Sequence, residues 1–289
     1  MTEETVLVAG LGEIGRTLFE LLKEKDSFNV YGLDLDEAKM RAARQDQSEL
    51  PQEIDTMHIC LPCKKQDTFV ATVARYVKQF KPQLLIINST VPPGTTKKVQ
   101  QNSKCLVAHS PVRGVHKSPE HMRWEIKRWT KYVGGADAKA GKVACKHFEK
   151  MGLKVKTLKS CAETELAKLF ETTYRAWMIA CFQEMHRISI TFEAKFDDVV
   201  DFLEDTHRVR LDRPIMFPGF IGGHCLIPNT ELLLQSYDSE FLRLILKSNQ
   251  ERREEIKDEK VQEEAGKIAK RAKALERELG KNLKNAVNA

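Results

Sequence analysis

Val6-Leu-Val-Ala9 is a short apolar, β-branched run that stops at Gly10-Leu-Gly-Glu-Ile-Gly15. Arg16 to Glu24 then places Leu18, Phe19, Leu21 and Leu22 at helical spacing. A strand that turns through three spaced glycines into a helix leaves few folds open. Gly10 permits the tight turn, Gly12 lets a pyrophosphate approach the backbone, and Gly15 lets helix pack closely on strand. Glu13 and Ile14 complete the turn and count with the glycines as cofactor-binding positions. The helix start then offers N–H groups and a partial positive charge to phosphates. Asp34 ends the next apolar run, Val30-Tyr-Gly-Leu33. A carboxylate there accepts hydrogen bonds from ribose hydroxyls and repels a 2′-phosphate, which favours NAD over NADP. Lys39 offsets part of that repulsion. A Rossmann domain for another nucleotide or for S-adenosylmethionine would share the fingerprint, and that alternative stays open.

Further buried-type strands are predicted at Met57–Leu61, Leu84–Ile87, Cys105–Ala108 and Lys131–Gly134, with a helix over Val70–Phe80. This alternation predicts an α/β, Rossmann-type, doubly wound parallel sheet, with ligands at the edge where the strands end. From Ala162 the pattern becomes helical. Glu163 to Thr191 has neither Gly nor Pro, and helices are expected over Phe196–Leu203 and Glu231–Lys247. Val261, Ala265, Ile268, Ala272, Leu275 and Leu279 mark one face of a charged C-terminal helix, expected to dock on its own domain or on a partner subunit. The expected division is therefore a nucleotide-binding domain at 1–158, a smaller all-α domain at 159–248 and the charged helix at 249–289.

A net charge of +6 suits a small anionic substrate and by itself calls for no nucleic acid. No apolar run reaches the length of a membrane span, and the polar Met-Thr-Glu-Glu start lacks the pattern of a signal peptide. Seven cysteines without framework spacing point to reduced thiols and a cytoplasmic setting. Cys60-Leu-Pro-Cys63 has redox or metal spacing but no second pair, so no metal is expected.

Four ordered motifs carry a family resemblance: the glycine fingerprint, Asn88-Ser-Thr-Val-Pro-Pro-Gly-Thr95, Glu163-Thr-Glu-Leu-Ala-Lys-Leu-Phe170 and Phe217-Pro-Gly-Phe-Ile-Gly-Gly-His-Cys225. Over roughly residues 5 to 250 the chain resembles the UDP-glucose/GDP-mannose dehydrogenase family. The family's third, sugar-nucleotide-holding domain is expected to be missing, with the charged helix in its place. The resemblance implies that Cys225 is the thiol that traps an aldehyde as a thiohemiacetal, on the way to a thioester and then a carboxylate. It implies that Lys168 stabilises the developing oxyanion and that Thr90 lies near the nicotinamide. Gly219 and Gly222 let substrate approach closely. Arg210 falls where the family places an arginine reaching the sugar, and Arg208 is nearly as well placed. A homodimer through the long helix follows, with Leu166, Leu169, Phe170, Trp177 and Ile179 available.

Three departures change the expected chemistry. The family's asparagine after the lysine is Thr172, its aspartate after the cysteine is Asn229, and its glutamate after His109-Ser-Pro111 is Val112. With two of three carboxylate-dependent parts gone, general base catalysis worth about 10²–10⁴-fold is lost. The expected activity is an NAD-dependent, two-electron oxidation of an alcohol on an anionic, sugar-nucleotide or sugar-acid-like substrate. The catalytic set is Cys225, Lys168, Thr172 and Asn229. A catalytically impaired nucleotide-binding or assembly protein on the same fold is the alternative. The basic residues Arg113, His116, Lys117, Arg123 and Arg128 would suit a carboxylate or phosphate on the substrate.

Overall fold

The computed structural model describes residues 3–114 and 118–287, with side chains through 280. It comprises two compact units, Met1–Phe170 and Glu171–Ala289.

The first unit is built on a seven-stranded sheet: β1 (Glu4–Ala9), β2 (Phe28–Leu33), β3 (Thr56–Ile59), β4 (Leu84–Ile87), β5 (Leu106–His109), β6 (Lys131–Gly135) and β7 (Val155–Thr157). Their order is β2-β1-β3-β4-β5-β6-β7. Helices connect them: α1 (Glu13–Lys23), α2 (Glu37–Ala42), α3 (Gln66–Phe80), α4 (Thr95–Gln101), α5 (Pro119–Arg128) and α6 (Ala138–Lys150). The apolar runs of β1 and β4 are continuous because both faces of the sheet are covered. Val6, Val8, Leu84 and Ile86 face a layer that includes Leu18 and Phe19 of α1, Met122 and Ile126 of α5 and Phe148 of α6. Leu7, Ala9, Leu85 and Ile87 face Phe69, Val73 and Phe80 of α3 and Val99 of α4. Helices on both sides of a mainly parallel sheet are the predicted doubly wound architecture.

Two features escaped the sequence pattern. β6 pairs with β5 antiparallel, Ala108 against Gly135 and His109 against Gly134, because the segment through α5 leaves and re-enters the sheet at the same end. β7 spans only three residues and pairs with β6, too short for an alternating pattern to register.

Strand order reverses between β1 and β3, and this is where an open α/β sheet offers its ligand crevice. The loops after these strands touch: a Cβ on Gly10 would lie 2.6 Å from the Cys60 carbonyl oxygen.

Helix α7 (Cys161–Thr191) begins in the first unit and continues into the second. The second unit adds α8 (Phe196–Arg210), α9 (Leu226–Ser236), α10 (Glu240–Glu255) and α11 (Glu259–Val287). The single helical segment expected over Glu231–Lys247 is instead two helices. Ser239 breaks the run by capping α10, accepting from Leu242 N. The apolar stripe of α11 docks on its own unit, where Ile268 and Leu275 join Phe182, Phe196, Val200 and Ile215 in a core cluster. No helix among the described residues is long and apolar enough to cross a membrane.

Candidate active site

In the first unit the glycine turn has the geometry its sequence requires. Gly10 has φ +92°, a conformation that side chains disfavour. A Cβ on Gly15 would sit 1.7 Å from the Gly10 carbonyl oxygen, so helix and turn meet at a distance only glycine allows. Gly12 is the N-cap of α1, no side chain caps the helix there, and a Cβ on Gly12 would meet nothing within 4 Å. Glu13 is exposed and Ile14 half-buried in the first turn.

Asp34 stands at the end of β2 with its side chain 12% exposed and Lys39 Nζ 3.7 Å away. Its carboxylate accepts from Leu11 N at 2.7 Å and from Asp36 N at 2.9 Å. The carboxylate read as a ribose acceptor therefore also locks the glycine turn, and its remaining lone pairs are all a ribose could use.

Thr90 is half-buried at the end of the loop after β4. The rest of that loop is held by a residue the sequence reading passed over. Glu165 of α7, with 0% of its surface exposed, accepts from Gly94 N at 2.7 Å, Thr96 N at 2.8 Å and Thr96 Oγ1 at 2.6 Å. It thereby caps α4 from outside. Its position in the same motif as Lys168, one helical turn earlier, was the available signal. His109 is buried, 2.8 Å from Thr164 Oγ1 of α7 and 3.1 Å from the Ser89 carbonyl. Desolvation, with the charges of Lys131 and Lys168 adding to it, pushes His109 down to about 3 despite the bond to Ser89. It is a neutral strut between the loops after β4 and β5. Lys168 is half-buried on the same helix.

Val112 lies in the apolar core with Met122 and Ile126, so the position is committed to packing. The basic run is also largely spent on structure. Arg113 stacks on Trp129 at 4.9 Å and Tyr132 at 5.1 Å, Arg128 stacks on Trp124 at 4.7 Å, and Arg123 and Lys127 pair with Glu24. His116 and Lys117 lie outside the described residues. Cys60 and Cys63 are free thiols, pushed up by burial to about 12 and about 11.

In the second unit Cys225 is the half-buried N-cap of α9, a place where a helix favours negative charge. One turn on, Asn229 Nδ2 donates to Thr172 Oγ1 at 3.2 Å. Two of the three departures from the family pattern are thus bonded to each other, and the pair is neutral. The loop before Cys225 is anchored from two helices. Gln183 donates to the Gly219 carbonyl at 2.8 Å, and Asn249 pairs with both the N–H and the carbonyl of Ile221. Neither anchor was foreseen, since a polar residue on a long helix looks like any solvated one. Gly219 is tight against the Phe217 ring, whereas a Cβ on Gly222 would make only ordinary contact with the Phe220 ring at 3.7 Å. The glycine with left-handed backbone is Gly223, φ +84°. Arg208 is bound to Glu204 and Glu278, while Arg210 is exposed at the end of α8 with no hydrogen bond or ion pair among the described residues.

The chain is 27% identical over 259 residues to UDP-N-acetyl-D-mannosamine dehydrogenase of Methanocaldococcus jannaschii, covering 76% of this chain and 59% of that protein. It thus spans about three fifths of the length of this curated relative. Among solved structures, UDP-D-ManNAc dehydrogenase from Pyrococcus horikoshii superposes with a TM-score of 0.67 at 20% identity, covering 85% of this chain and 68% of that one. Mycobacterium tuberculosis 3-hydroxyisobutyrate dehydrogenase does so at 0.63 and 16% identity, covering 89% of this chain and 95% of that one. At these identities the structural likeness concerns the fold. The family description "UDP-glucose/GDP-mannose dehydrogenase family, central domain" matches residues 162–251. The resemblance read from the four motifs is therefore borne out as a resemblance, carried by residues 162–251, which match the family's central domain.

Proposed function

We propose that this chain is an NAD-dependent dehydrogenase that oxidises an alcohol on an anionic sugar-nucleotide or sugar-acid-like substrate by a single two-electron step. The observation that carries the reading is the uncapped α1 turn at Gly12, held by the Asp34 carboxylate through Leu11 N. That donor set fits a dinucleotide: main-chain N–H groups for the pyrophosphate and a carboxylate for the ribose. Gly10, Gly12, Glu13, Ile14, Gly15, Asp34, Lys39 and Thr90 would hold NAD, whose contribution when bound is to accept a hydride. Residues 1–158 would form the cofactor half, 159–248 the central half and 249–289 the charged helix.

Lys168 carries the positive charge that would stabilise an oxygen developing negative charge. Cys225 would hold the reacting carbon's side of the substrate, with Gly219 and Gly222 giving it room and Arg210 reaching the anionic part. Thr172 and Asn229 can orient a hydroxyl or a water but cannot take its proton at neutral pH, which supports stopping at two electrons. The relatives named as UDP-N-acetyl-D-mannosamine dehydrogenases put UDP-N-acetylhexosamines first among candidate substrates. A homodimer rests on exposed aromatic surface of the second unit: Tyr174 and Trp177 on α7 stack in series with Phe241 of α10. Leu169 and Ile179 are already buried within the chain and are not free for it.

The neutral Thr172–Asn229 pair also favours a second reading, a nucleotide-binding assembly protein without turnover. Replacing Cys225 by Ser separates the two. Loss of NAD-dependent turnover with NAD binding kept supports the dehydrogenase; NAD binding with no turnover in either protein supports the second.

A further inference from the structure

A line of buried polar side chains crosses the sheet of the first unit, and the proposed chemistry uses none of it. Lys131, at the start of β6, is 5% exposed. Its ammonium donates to the Ser110 carbonyl at 2.6 Å and the Pro111 carbonyl at 3.2 Å, and lies 3.5 Å from Asn88 Oδ1. Asn88 Nδ2 lies 3.2 Å from the Ile86 carbonyl and 3.1 Å from His58 Nδ1. His58 Nε2 is 2.8 Å from His147 Nε2, and His147 Nδ1 is 2.7 Å from Glu4 Oε1. Glu4 also accepts from Thr56 Oγ1 at 2.7 Å and Lys150 Nζ at 2.9 Å. Lys131 has no ion-pair partner among the described residues.

Donor and acceptor counting leaves one arrangement. The carbonyl of Ile86 beside Nδ2 and the ammonium beside Oδ1 fix which way the Asn88 amide points. His58 Nδ1 must then accept, so the single proton of a neutral ring sits on Nε2 and points at His147. His147 Nε2 must accept it, which leaves the His147 proton on Nδ1, directed at Glu4. Every N–H in the line points from Lys131 toward Glu4, and a second proton on either ring would set N–H against N–H. Desolvation first, with the charge of Lys131 adding to it, holds His58 well below the ordinary histidine range.

We propose that Lys131 is a positioning residue for the strand-end edge. With Glu4 it forms an ion pair split across the sheet and bridged by Asn88, His58 and His147. Its ammonium fixes the loops after β4 and β5 and sets a positive charge behind the place of an anionic nucleotide. The last clause rests on the dinucleotide reading; the split pair does not.

The groups facing Lys131 are His58 on β3, Cys60 after it, His109 on β5, Arg113 after it, Lys168 on α7 and the Phe148 ring of α6, 5.1 Å away. Desolvation is the main reason its pKa falls to about 7; Cys60 opposes the fall, and Lys168 and Arg113 add to it. An anionic ligand favours the charged form. Binding above pH 7 therefore takes up a proton at Lys131, and affinity falls as pH rises.

Nitrogen NMR of the histidines in the full chain tests the split pair without any ligand. The expected result is one fixed tautomer for each ring, the His58 proton on Nε2 and the His147 proton directed at Glu4 on Nδ1. Asn88→Asp replaces the donor with an acceptor and should move the His58 proton to Nδ1. Exchanging tautomers, or an unchanged His58 in Asn88→Asp, overturns the split pair. Calorimetric titration with NAD tests the positioning role. The native chain should bind about six-fold more weakly at pH 8.5 than at pH 6.5, as a one-unit rise in the Lys131 pKa on binding gives. Lys131→Met should abolish that dependence, and native-like pH dependence in Lys131→Met overturns the role. NAD binding by neither protein would sink the dinucleotide reading, and the positioning of a nucleotide with it, while the NMR result decides the split pair on its own.

Discussion

Glu165 makes three hydrogen bonds to one short loop, and a glutamine in its place keeps a single acceptor oxygen. Glu165→Gln is expected to cost about 1–3 kcal/mol in urea unfolding, the penalty for leaving a buried donor unpaired. Desolvation raises the pKa of Glu165 in spite of those bonds. The folded chain therefore holds this proton more tightly than the unfolded one. The stability the group contributes falls as pH rises from the ordinary carboxylate range through the raised value, and Glu165→Gln removes that slope. Gly223→Ala should cost about 1–2 kcal/mol for its left-handed backbone, and Gly222→Ala should be nearly neutral. At this scale the sequence was only partly legible. Gly10, Gly15 and Asp34 were readable because their local motif fixes their surroundings. Glu165, Gln183 and Asn249 were not, because each acts on a loop distant in sequence, and nothing in its own helix marks it.

Among the elements, the long α7 and the strands β1 to β5 followed from apolar runs and periodicity. β7 and the break between α9 and α10 did not, since three residues carry no period and a capping serine competes with a continuous helical pattern. The stripe on α11 was legible as a face, and its partner was not. The structure supplies that partner as Phe182, Phe196 and Val200, reinforced by Arg271 bonding Asp197, Asp201 and Glu204 of α8. Ile268 is at the centre of this contact, and Ile268→Ala is expected to cost about 2–5 kcal/mol in the unfolding of the second unit. An unchanged unfolding curve would mean that α11 contributes little to that core.

For the molecule as a whole, acid stability reports on the polar line through the first unit. Burial alone would raise the pKa of Glu4, but hydrogen bonds from His147, Thr56 and Lys150 bring it from 4.5 to about 2. A depressed carboxylate contributes stability that is complete above pH 4.5 and is lost as pH falls through about 2. At about 1.4 kcal/mol per unit the loss is about 3 kcal/mol, and Glu4→Gln should flatten that part of a pH-stability curve. The family resemblance was legible from four short motifs, while the proposed chemistry turns on what stands at Thr172, Asn229 and Val112. The measurement that bears most directly on the proposed function is the yield of NADH per molecule of UDP-N-acetylhexosamine, or of another anionic sugar alcohol, consumed by the full chain. One NADH per substrate, with a carbonyl product, is the expected result; two NADH with a carboxylate product would contradict it.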